Sequence, residues 1–120
     1  MRKALRFLLA LAVPGLAAWS ADISGTWNFS VETDQGSGNP TFVLKQEGQK
    51  LTGAYTGLLG QANIAGSVKG DQVVIQFVVD AGGQTAKVVY SGVIEAPTRM
   101  KGKVQFGDLG SGTWTAAKKS

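Results

Sequence analysis

The chain has 120 residues, with 12 Lys and Arg against 8 Asp and Glu, and it contains neither Cys nor His. That length holds one domain, and the two missing residue types remove disulfides, the thiol nucleophile, the usual general base and the common transition-metal ligands. Arg2, Lys3 and Arg6 sit at the very start; the remainder carries nine basic against eight acidic residues, a net charge of +1, which leaves no electrostatic case for nucleic acid.

Residues 1–20 read as a cleaved signal peptide. Arg2, Lys3 and Arg6 form its positive region, Phe7 to Ala18 its apolar stretch, and Ala18-Trp19-Ser20 its small-any-small cleavage site. The apolar run is too short for a membrane span, which needs roughly 20 residues. The expectation is therefore an exported protein, periplasmic or extracellular, with no membrane attachment after cleavage and a single domain over 21–120.

From residue 22 onward no helical periodicity is present. Strand-like segments follow at 24–33, 41–47, 50–56, 62–69, 72–80, 85–95, 99–106 and 111–117, separated by turn residues, which is the signature of an all-β barrel or sandwich. The inward parity gathers Trp27, Phe29 and Val31; Phe42, Leu44 and Gln46; Leu51 and Tyr55; Ile64 and Val68; Val73, Ile75, Phe77 and Val79. It continues through Ala86, Val88, Tyr90 and Ile94 to Met100, Val104, Phe106, Trp114 and Ala116. Polar residues lie between them, so one face of the sheet is buried and one is wet.

A motif of apolar, any, Gly, any, apolar recurs along these strands. It occurs at Ile23 to Trp27, Leu51 to Tyr55, Ile64 to Val68, Tyr90 to Ile94 and Met100 to Val104, and in degenerate form at Gly110 to Trp114. Glycine on the apolar side of a strand marks a bend or a close backbone approach. Every connection is short enough for a hairpin. The expected fold is an eight-stranded antiparallel up-and-down meander barrel, closed where the first and last strands pair and their Ser-Gly-Thr-Trp tetrads, 24–27 and 111–114, meet.

A meander sorts its loops to two ends. The tight, charged turns 47–50, 69–72 and 95–99 fall at one. The longer glycine-rich loops 34–40, 57–61, 81–84 and 107–110, with Leu58, Leu59 and Leu109, fall at the other, and any mouth belongs there. Trp27, Tyr55, Tyr90 and Trp114, with Gln46 as a polar group, are the candidate ligand-binding residues. A barrel of eight strands is just wide enough to hold one small ligand or to be filled by side chains. Outward valines Val74, Val78, Val89 and Val93 form a candidate surface for a protein partner or a second copy. Asp34, Asp80 and Asp108 at the loop end offer the carboxylates of a hydrolase, or with Asn39 the oxygen ligands of calcium. Their neighbouring glycines favour plain turn capping, so no catalytic, cofactor or metal site is assigned.

The runs Ile23 to Trp27, Thr41 to Leu44 and Leu51 to Tyr55 resemble the first three strands of the avidin and streptavidin family, an eight-stranded meander barrel that binds biotin. Only Tyr55 falls on a tyrosine with which that family holds the biotin ring. Asn28-Phe29-Ser30 replaces the family's polar run, and no tryptophan lies between Trp27 and Trp114, where its pocket tryptophans stand. The whole pattern is more similar to the small lipocalin-like, calycin-like modules of secreted bacterial proteins, a resemblance that implies a non-catalytic accessory role. The leading expectation is a non-enzymatic barrel binding a small apolar or amphipathic ligand, or a partner, at its glycine-rich end. A filled-core interaction module using the valine face is the alternative.

Overall fold

Period-two alternation puts every second side chain on one face, and the computed structural model curls that face inward. It describes residues 22–81, 83–108 and 110–119. The strands are β1 (Gly25–Thr33), β2 (Gly36–Gly38), β3 (Thr41–Glu47), β4 (Lys50–Gly57), β5 (Gly60–Lys69), β6 (Gln72–Ala81), β7 (Gln84–Ala96), β8 (Arg99–Phe106) and β9 (Ser111–Lys118). From β3 to β9 each strand pairs antiparallel with the next, β1 pairs with β3, and β1 also pairs with β9. The result is a closed antiparallel barrel with no helix among the described residues.

One strand beyond the expected eight is β2, and it belongs to the same ladder as β3. Val31 pairs with Gly38 and Asn28 with Thr41 in an unbroken register along one edge of β1. Between them the Phe29 amide donates to the Pro40 carbonyl at 2.9 Å. Pro40 has no N–H to return, so the ladder is interrupted there. The segment 34–40, expected as an open loop, is thus a tight hairpin: Asp34 and Gln35 make the turn, and the Thr33 hydroxyl donates to the Gly36 carbonyl at 3.0 Å. Counted as one interrupted strand, β2 and β3 leave the barrel eight-stranded.

Closure sets Phe29 opposite Ala116 and Val31 opposite Trp114. The two Ser-Gly-Thr-Trp tetrads do not meet. Antiparallel strands of similar length run past one another, so Trp27 pairs with Lys118 while Gly112 pairs with Thr33, at the far end of β1.

The motif glycines are what let so short a sheet coil. A β-carbon at Gly53, Gly66, Gly92, Gly102 or Gly112 would run into a main-chain carbonyl oxygen of the neighbouring strand. Gly53 also has φ +147°, a conformation that side chains rarely adopt. Of the residues expected inward, all but four are buried, and Ala86, Ile94 and Phe106 pack against that core while only partly covered. The fourth, Gln46, is half-exposed. Ile23 and Ala62 join the core without having been placed there by strand parity.

The leader expected at 1–20 lies outside the described residues, as do Gly82 and Leu109 in the loops.

Candidate functional site

Side-chain size differs between the two halves of the barrel. Toward the tight turns the interior is filled by Ile23, Trp27, Leu51 and Met100, all essentially inaccessible to solvent. Ile23 is held there by its own backbone: its amide donates to Gln46 Oε1 at 2.9 Å, and its carbonyl accepts from Trp27 Nε1 at 2.9 Å. The Gln46 amide in turn donates to Ser24 Oγ at 2.9 Å. These bonds latch the segment before β1 across the end of the barrel.

The middle is an aromatic layer. Phe29 stacks on Trp114 with ring centres 4.9 Å apart, Tyr55 stacks on Phe77 at 4.4 Å, and Phe42 meets Tyr90 edge-on at 5.2 Å. Such pairs add about 0.5–1.5 kcal/mol each beyond area burial. They make a rigid floor across the barrel.

Above that floor the inward positions shrink to Val31, Val79, Ala86 and Val88, with Phe106 at one side, and a cavity of about 380 Å³ opens between them. Its rim is the β1–β2 hairpin with Leu58 and Leu59. This is the glycine-rich end at which the sequence placed a mouth. The volume falls in the usual range for small-molecule sites, about 300–1,000 Å³.

Tyr55 and Tyr90 supply the polar atoms of its floor. The Tyr55 hydroxyl accepts a hydrogen bond from the Leu59 amide at 3.3 Å. Burial raises the Tyr55 phenol above the ordinary tyrosine range, and the Leu59 amide offsets part of that. Tyr90 is 2% exposed, and its hydroxyl has no hydrogen-bond partner among the described residues. Burial pushes its pKa far above the tyrosine range, and the nearby Tyr55 adds to the effect. Leaving a hydroxyl buried and unpaired costs about 1–3 kcal/mol.

Of the five candidate ligand-binding residues, the structure brings Tyr55 and Tyr90 together at the cavity. Trp114 is in the aromatic layer, its indole N–H donating to the Lys103 carbonyl at 2.9 Å. Trp27 and Gln46 stand at the filled end and serve the latch. The cavity walls Val79, Val88 and Phe106 were assigned to the core; their inward parity at the loop ends of β6, β7 and β8 was the available signal.

The candidate partner valines alternate with polar residues across the β6–β7 ladder. Val74 pairs with Ser91, Gln76 with Val89, Gln72 with Val93 and Val78 with Lys87, so each valine faces a polar residue across the ladder. Val78 is 58% exposed, and the other three are half-buried. Val93 borders a shallow outer depression together with Lys101, Lys103 and Thr115. Among the described residues no three carboxylates gather as a metal group, so Asp34, Asp80 and Asp108 do not form one.

Closed meander, filled base and open, apolar upper chamber define an eight-stranded antiparallel β-barrel with a cavity at its loop end. The sequence matches no protein-family model and no curated protein. Among solved structures it is similar to a redesigned β-barrel, mFAP1, bound to DFHBI, with a TM-score of 0.63 and 15% identity over 81% of this chain and 94% of that one. At that identity the likeness concerns the fold alone.

Proposed function

We propose that the protein is an exported, non-enzymatic, lipocalin-like carrier or sensor barrel that takes one small apolar or amphipathic molecule into the chamber at its loop end. The observation that carries this reading is the contrast inside one barrel: the base is packed solid by large side chains, while the opposite half keeps a cavity of about 380 Å³ walled by Val and Ala and floored by two phenols. A core selected only for stability would fill that space with larger side chains, since each further buried CH₂ contributes about 0.8 kcal/mol. That the similar mFAP1 barrel is bound to DFHBI supports a small molecule as the occupant of a barrel of this shape. Export rests on the leader pattern of residues 1–20.

The test is titration with 1-aminoanthracene, a neutral fluorophore whose emission rises in apolar surroundings. The expected result is saturable binding of one probe per chain, lost in Ala86→Trp, which fills the chamber from its wall. Absence of saturable binding, or binding unchanged in a folded Ala86→Trp protein, overturns the proposal. N-terminal sequencing of the protein recovered outside the cytoplasm tests the leader, with a start near Ala21 expected.

A further inference from the structure

The chemistry of the chamber narrows what can enter it. Among the described residues that line it the ionisable ones are Asp34, at the rim, and the phenols Tyr55 and Tyr90, with no Lys or Arg among them. An anionic ligand would therefore meet one carboxylate at the entrance and no cation inside, and would have only neutral donors to offset its lost hydration. Within the chamber the two hydroxyls are unlike. That of Tyr55 already receives the Leu59 amide at 3.3 Å. That of Tyr90 is buried, belongs to the cavity floor, and has its proton uncommitted to any described residue. A phenol in that state is a donor seeking an acceptor.

Resting on the small-ligand reading above, we infer that the chamber selects an uncharged apolar molecule bearing one hydrogen-bond acceptor, a ketone, ester, amide or ether oxygen, which accepts a hydrogen bond from the Tyr90 hydroxyl, and that it disfavours carboxylates. The walls Val31, Val79, Val88 and Phe106 contact the apolar body, so the acceptor must lie at the end that enters first. Fatty acids and other lipid anions are disfavoured as ligands in their ionised form. The inference assigns Tyr90 the role of specificity-determining donor, with Tyr55 as its positioned neighbour.

Three probes of nearly equal size separate the possibilities by calorimetry on the protein near neutral pH: 2-acetylnaphthalene, 2-ethylnaphthalene and 2-naphthoate. The ketone is expected to bind about tenfold or more tighter than the hydrocarbon, the difference that a satisfied buried donor makes, and the carboxylate weaker than both. In Tyr90→Phe the preference for ketone over hydrocarbon is expected to vanish while hydrocarbon binding persists; in Tyr55→Phe most of the preference should remain. Equal binding of ketone and hydrocarbon, or naphthoate binding as tight as the ketone, overturns this inference and leaves the small-ligand reading standing. Failure of all three probes, together with failure of 1-aminoanthracene, removes both. The wild-type comparison decides the matter even if Tyr90→Phe does not fold.

Discussion

Gly92 on β7 and Gly102 on β8 are direct partners across the ladder, and a β-carbon on Gly102 would lie 2.5 Å from the Gly92 Cα. Real β-carbons do not come so close. The two strands can cross at this separation only because both positions lack a side chain, and that crossing lets eight short strands close around an aromatic layer. Gly102 also pairs with Trp114 of β9, so the same position admits the indole that floors the barrel.

Gly102→Ala is therefore expected to cost about 3 kcal/mol or more, since the added methyl meets the main chain of Ser91 and Gly92 and backbone cannot swing away as a side chain can. Gly70→Ala is the control. Gly70 has φ +63° with nothing within 4 Å of an added β-carbon, so only the conformational penalty of about 1–2 kcal/mol applies. Urea unfolding of the two variants checks the contrast, and equal losses would show that close approach is not what the strand glycines provide.

Gln46 is expected to act as a clasp on the segment before β1. Gln46→Ala removes the acceptor of the Ile23 amide, 2.9 Å away, while the Trp27 indole bond to the Ile23 carbonyl remains. A loss of about 1–2 kcal/mol is expected for a part-buried hydrogen bond whose partner amide is left unpaired. The local signature is faster hydrogen exchange at Ile23 with little change at Phe29 or Val88. Unaltered Ile23 exchange would mean that the segment is held by side-chain packing alone.

The strands and their parity were legible because alternation is a local property: each inward set from Trp27 to Trp114 could be read within its own segment. The bending glycines were legible for the same reason. Contacts across long sequence separations were not. Gln46 looked like a pocket residue because its parity is inward, yet its partner is Ile23, and nothing in either segment names the other. β2 was hidden by its composition, since Gly36-Ser37-Gly38 has no apolar alternation and is a strand only by main-chain pairing to β1. The meeting of the two Ser-Gly-Thr-Trp tetrads was inferred from their likeness, whereas antiparallel geometry separates them by the length of β1. The mouth was placed correctly by loop composition, because alternate connections of a meander fall at opposite ends and the glycine-rich ones share one end, although their length was misjudged: the structure makes two-residue turns at 34–35 and 58–59. Which inward residues would border a void depended on their relative sizes in three dimensions, so Trp27 and Trp114, conspicuous in the sequence, lie below the chamber, and the small Ala86 borders it.

Tyr55→Phe is expected to loosen the rim without disturbing the barrel. The hydroxyl that accepts the Leu59 amide is lost, at a cost of about 0.5–1.5 kcal/mol or less given the 3.3 Å length. The phenyl ring keeps its stacking on Phe77. Hydrogen exchange should accelerate at Leu59 and leave β6 and β7 unaltered. If the amides of β6 slow or quicken together with Leu59, the rim and the wall behave as one unit, and the hydroxyl has a wider role than this geometry gives it.

Stability at alkaline pH should follow the two phenols, which are the chain's only tyrosines. Burial raises both, Tyr90 the more strongly, whereas in the unfolded chain each ionises near about pH 10. Above that pH the unfolded state has released protons that the folded state still holds, so the free energy of unfolding falls as pH rises. The stabilising contribution is complete below about pH 10 and is lost progressively from there toward the folded-state pKa values. Near-ultraviolet absorbance, which follows tyrosinate directly, should show one phenol ionising later than free tyrosine and the second only with unfolding. Tyr90→Phe should flatten the alkaline decline in stability, leaving the smaller part due to Tyr55. A wild-type titration in which both phenols ionise at the ordinary tyrosine pH while the fold persists would mean that water reaches the floor freely, and that the Tyr90 hydroxyl is not the desolvated donor described above.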